Sequence, residues 1–161
     1  MHRVGQFVSH LTARVTPDDE AAAHRVLPAN AWELFVRMPV ADRRHGLDVA
    51  HRLLAQGIDD RDVLAAALLH DEAKGRRLRL WHRVGGVLLA RFAPGTLAGL
   101  ASPEPASRGY PWWVFLHHAR LSADAALRAG LSERTAAFIT GSAGASDQRL
   151  ASALHAADEA S

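Results

Sequence analysis

The 161-residue chain is about half apolar and carries 19 Lys or Arg against 17 Asp or Glu, a formal charge of +2. That length suits one domain burying roughly two-thirds of the surface of its unfolded chain, so no covalent staple is required. The absence of cysteine excludes disulfides and thiolate metal ligands, which leaves His, Asp and Glu to hold any ion. Charges of both signs are interspersed through most of the chain, which gives no nucleic-acid footprint. No apolar stretch reaches the roughly 20 residues of a membrane span, and the first residues lack the layout of a secretory signal. The expectation is a cytoplasmic protein without a membrane partner.

In chain order, Val4, Phe7, Val8 and Leu11 recur at helical spacing and predict a helix over residues 4–14. Thr16-Pro17-Asp18-Asp19-Glu20 then supplies a cap, a proline at the first helical position and first-turn acids for a second helix, ending near Leu27. Pro28-Ala29-Asn30 starts a short helix carrying Trp32, Leu34, Phe35 and Val36, which Pro39 stops before a longer one over 40–56. Gly57 ends that helix, and Asp59-Asp60 caps the next, which closes near Asp71. Its stretch 63–69 has no polar side chain and reads as buried on most of its surface.

Gly75 separates this helix from another over 76–92, with Leu78, Trp81, Gly85, Leu88 and Phe92 as the expected inner stripe. Arg76, Arg79 and Arg83 fall opposite it and read as a solvated face, with Arg76 also a candidate phosphate contact. Prolines and glycines make 93–111 a long loop, and the aromatics of 110–115 read as core packing. Helices over 112–130, 132–140 and 147–159 complete the chain. With no alternating run, the fold class is all-α, one compact domain of about seven to nine helices. Residues 1–38 are expected to pack as N-terminal helices on a core of 39–161.

His70-Asp71-Glu72-Ala73-Lys74 emerges from the buried helix. An unpaired carboxylate beside an imidazole inside a protein is costly, so the pair points to a cation, and a divalent metal would serve. His45, near the start of the 40–56 helix, and Asp158, on the small apolar last helix, bring the set to two imidazoles and two carboxylates. Such a set leaves open positions on an octahedral ion for a water and a phosphoryl oxygen. Lys74, the only lysine, falls one turn after His70. It reads equally as a cation beside a phosphate or as one placed on a helix C-terminal dipole.

The order His45, then His70-Asp71, then Asp158, each on its own helix, resembles the HD-domain superfamily of metal-dependent phosphohydrolases over about residues 40–159. Residues 65–74 are similar to that family's His-Asp helix. The resemblance implies an HD-type helical fold in which His45, His70, Asp71 and Asp158 ligate one divalent ion, whether Mn, Mg, Fe, Co, Ni or Zn. It also implies an enzyme, with Asp71 and Lys74 as catalytic residues, that hydrolyses a nucleotide or other small phosphate ester through a metal-activated water. His118 of the His117-His118 pair resembles a further histidine of two-metal members. It would support the ligands or touch the phosphate, with ordinary packing as its other reading.

Two departures stand out. Glu72 and Ala73 replace the small hydrophobic and glycine residues common after the His-Asp pair, and no histidine stands around 139–143. The missing histidine favours one metal or a weakened second site, and the two departures together keep an alternative open: a catalytically weak or inactive regulatory module binding a nucleotide or a partner protein.

Overall fold

Thr16 and Asp19 close the first described helix, α1 (Pro17–Val26), by a reciprocal pair. The Asp19 N–H donates to the Thr16 hydroxyl at 3.2 Å, and the Thr16 N–H donates to the Asp19 carboxylate at 3.0 Å. The computed structural model describes residues 14–75 and 78–161, so the expected helix over 4–14 lies outside the described residues but for its last position, and Arg76 lies outside them too. The following helices are α2 (Ala29–Arg37), α3 (Val40–Ala55), α4 (Arg61–Leu69), α5 (Leu80–Phe92), α6 (Pro94–Leu100), α7 (Tyr110–Arg128), α8 (Glu133–Thr140) and α9 (Gln148–Glu159). Among the described residues there is no strand, and the fold is all-α. None of these helices is long and apolar enough to cross a membrane.

The helix starts follow from local chemistry. Pro28 and Pro39 stand at the N-caps of α2 and α3, while Asp60 caps α4 by accepting the N–H groups of Asp62 and Val63. Val63 to Leu69 are each no more than 5% exposed. A helix that is apolar all round must be enclosed, and α1, α2, α3, α8 and α9 all pack on α4. Helices α5 and α6 form a flank that leans on α7.

Two expectations are corrected here. The expected loop over 93–111 contains α6, because Pro94 stands where its fixed φ suits a helix start and Leu97, 1% exposed, anchors the turn. The expected inner stripe of α5 is largely turned outward: Leu78 is buried, but Trp81, Leu88 and Phe92 are 57%, 51% and 78% exposed. The face turned inward is instead His82, Gly86 and Leu89. A Cβ at Gly86 would lie 2.7 Å from the Phe115 ring, so the α5 backbone rests on that ring and the bulky residues take the other side. Helix α5 also begins later than expected, at Leu80. Arg79 is extended, and its N–H donates to Nδ1 of His82 at 3.2 Å.

Candidate metal centre

His70 ends α4 as its C-cap, so the buried helix delivers the His70-Asp71 pair directly into a turn that runs to Gly75. That turn is held from two sides. The Ala73 N–H donates to Oγ of Ser122 on α7 at 3.0 Å, with Ser122 buried. Arg83 of α5 donates to both oxygens of Asp42 on α3, at 2.6 and 2.7 Å, and reaches the Gly75 carbonyl at 3.4 Å. Arg83 is therefore an ion-pair residue, which corrects its reading as part of a solvated face. On the other side of the site, a Cβ at Gly46 would meet the carbonyl oxygens of Ala67 and Leu68, both at 3.0 Å. The missing side chain lets α3 lie against the end of α4, which carries His45 to His70.

His45 and Asp158 meet across 113 residues of sequence, with Nε2 and Oδ1 2.8 Å apart. Nε2 of His70 lies 3.3 Å from the same oxygen and 3.6 Å from Oδ1 of Asp71. One ligand atom from each of His45, His70 and Asp158 fits within 4.8 Å of the others. Asp71 borders this trio through His70, and its carboxylate is also taken by Lys74, whose Nζ lies 2.7 and 2.9 Å from its two oxygens. Nε2 of His118 stands 3.9 Å from Oδ1 of Asp71, so this histidine faces the site, while its neighbour His117 is exposed.

The proton placement is set by backbone carbonyls. Nδ1 of His70 is 3.0 Å from the Ala67 oxygen and Nδ1 of His118 is 2.8 Å from the Phe115 oxygen. A carbonyl only accepts, so each Nδ1 carries a hydrogen and each neutral ring turns its Nε2 lone pair toward the site. Anchoring the far nitrogen in this way is how a ligating imidazole is oriented. Nε2 of His70 and Oδ1 of Asp71 are buried, each beside an opposite or complementary group: Lys74 Nζ lies 2.7 Å from Oδ1 and the Asp158 carboxylate 3.3 Å from Nε2. A buried carboxylate needs a cation beside it, and Lys74 supplies that charge to Asp71.

Electrostatics point the same way. Burial works to raise the Asp71 carboxyl, but His70 and then Lys74 hold it well below the usual carboxylate range. Burial likewise opposes Asp158, whose carboxyl is depressed by its bonds to His45 and His70. Burial disfavours a charged His70, yet the adjacent Asp71 and Asp158 push its imidazole above the ordinary value. His118 is lowered, by burial and then by Lys74. The site thus holds two ionised carboxylates, one paired with Lys74 and one with the imidazoles of His45 and His70.

A cavity of about 380 Å³ opens beside the trio, lined by His70, Phe138, Thr140, Gln148, His155 and Asp158 among others, with no Lys or Arg in its wall. Thr140 and Gly141 stand in that wall, within the stretch where the sequence has no further histidine. Glu72, the other departure, lines a separate cavity of about 500 Å³ with Glu33, Tyr110 and Arg128. Sequence reasoning missed Ser122, Asp42 and Gly46. Only Gly46 left a signal, since a glycine inside a helix costs about 1 kcal/mol relative to alanine and so marks a close approach. The chain matches no protein-family model, no curated protein and no solved structure.

Proposed function

We propose that this chain is a metal-dependent phosphohydrolase of the HD type, acting on a nucleotide or another small phosphate ester. The observation that carries this reading is the convergence of His45, His70 and Asp158 from three helices, with the Asp71–Lys74 ion pair beside them. His45, His70 and Asp158 would hold one divalent ion, with Asp71 at its edge. Such an ion, when bound, supplies Lewis-acid charge to a phosphoryl oxygen and lowers the pKa of a water. Asp71, its carboxylate held by Lys74, would orient a proton of the attacking water. Lys74 adds a positive charge within reach of a phosphoryl oxygen, and His118 offers a neutral Nε2 on the same side. The cavity beside Phe138, Thr140 and Gln148 takes the rest of the ester.

A regulatory module without turnover is the second reading, and one contact favours it. Lys74 already neutralises Asp71, which would leave that carboxylate little role in moving a proton.

Elemental analysis of the purified protein, with a phosphate-release assay over a nucleotide panel, tests both. Near-stoichiometric metal is expected in the wild type, with loss of metal and of turnover in His70→Ala and Asp158→Ala variants that keep their helicity. Failure to bind any of Mn, Mg, Fe, Co, Ni or Zn overturns the metal site. Bound metal without turnover selects the regulatory reading.

A further inference from the structure

Helix α5 is apolar on the side that faces away from the protein. Trp81, Val84, Val87, Leu88 and Phe92 are 40% to 78% exposed. At 100° per residue they sweep an arc of roughly 140°, and only Arg91 among them is charged. The inward arc, with His82, Gly86 and Leu89, is already used against α7. A helix already packed through one face that still exposes five large apolar side chains on the other is one whose outer face has an occupant.

Charge identifies that occupant. The sequence from Ala73 to Ala123 holds eight Lys or Arg and one acid, Glu104; with Lys74 and Arg83 paired to Asp71 and Asp42 outside it, the segment keeps a charge of +5 against −3 for the rest of the chain. From Leu78 to Leu100 there is no acid at all. Arg79 and Arg91 are exposed near the two ends of α5, and the guanidinium of Arg91 lies over the Phe92 ring, 5.8 Å from its centroid. An aromatic beside an arginine at each end of an exposed apolar helix is the layout of a helix lying in a lipid interface. Two copies paired through this face would bring like-charged rims together, and a nucleic acid would leave the apolar arc uncovered.

We propose that the outer face of α5 docks on an anionic lipid bilayer, with Trp81, Leu88 and Phe92 entering the boundary between headgroups and acyl chains and Arg79 and Arg91 meeting the lipid phosphates. This is peripheral contact, which the length and hydropathy of segments do not register, and it does not depend on the metal site. The docking face lies on α5, which packs on α7, while the candidate ligands lie on α3, α4 and α9.

Sedimentation of the full chain with phosphatidylcholine vesicles, with and without phosphatidylglycerol, tests it. Expected is binding to the anionic vesicles that weakens as salt is added, with a blue shift of tryptophan emission that Trp81→Phe largely removes while binding persists. Arg91→Gln is expected to weaken binding about fivefold, the worth of one arginine near such a surface, and Trp81→Ser with Phe92→Ser to abolish it. These side chains are exposed, so both variants are expected to keep the wild-type circular dichroism. Equal binding to neutral vesicles, no binding to either vesicle, or a soluble dimer that Leu88→Asp converts to monomer would each overturn the proposal, the last by assigning the face to a second copy.

Discussion

Arg83 of α5 and Asp42 of α3 form a bidentate ion pair at 2.6 and 2.7 Å, with Asp42 only 2% exposed. The pair ties the peripheral flank to the helix that carries His45. Removing one partner of a buried pair leaves the other charge desolvated, so Asp42→Ala is expected to cost about 3–5 kcal/mol. Urea unfolding measures it. The double replacement Asp42→Leu with Arg83→Met is expected to recover most of that loss, and additive losses would show that the two are not coupled.

Gly46 sets the separation of α3 and α4. A Cβ there would press on two backbone carbonyls, which have little freedom to yield, so Gly46→Ala is expected to cost about 1–3 kcal/mol despite the better helix propensity of alanine. The same shift would move His45 away from His70. Metal retained per chain is expected to fall with stability; unchanged stability and metal content would show that α3 slides freely.

Acid sensitivity has a source at the opposite end of α4 from the candidate site. Asp62 accepts bonds from Ser132 at 2.6 Å, Thr135 at 2.8 Å and Arg134 at 3.0 Å. Burial works to raise its carboxyl, but these donors hold it below the ordinary value of 3.8. A depressed folded pKa means the unfolded chain binds the proton more readily, so this stabilisation is complete above about pH 4 and is lost as pH falls through the folded value. The stability gap between wild type and Asp62→Asn is therefore expected to narrow steadily below pH 4. Denaturation at a series of pH values reads it, and a gap independent of pH would refute the assignment.

Metal removal should register as a loss of stability. An ion present at 100 times its dissociation constant stabilises the native state by about 2.7 kcal/mol, so a chelator is expected to lower the wild-type Tm by several degrees. His45→Ala is expected to melt at the same temperature with and without chelator. A chelator effect that survives in this variant would place the ion elsewhere.

Much of the helical order was legible from sequence. The Thr16 and Asp60 caps, the prolines at 28 and 39, and the enclosed run 63–69 act through neighbours a few residues away, and periodicity records such effects directly, whereas the helix that begins at Pro94 was read as loop. Which face of α5 turns inward was not legible. The bulkier apolar side chains stand on the expected stripe, but the choice depends on Phe115, a residue on another helix that fits only against a glycine. The roles of Arg83 and Ser122 were hidden for the same reason, since their partners lie 41 and 49 residues away.

At the candidate site, the sequence by itself determined the residue types: two imidazoles and two carboxylates in a fixed order, without thiols, with one lysine after the His-Asp pair. Tertiary structure alone decided their grouping. It drew His45, His70 and Asp158 into one cluster and left Asp71 shared among His70, Lys74 and His118. The physical reason is distance in the chain. Local sequence fixes helices and their ends, but the angle and separation at which α3, α4 and α9 meet come from side-chain volumes at contacts such as Gly46, and those exist only once the helices pack.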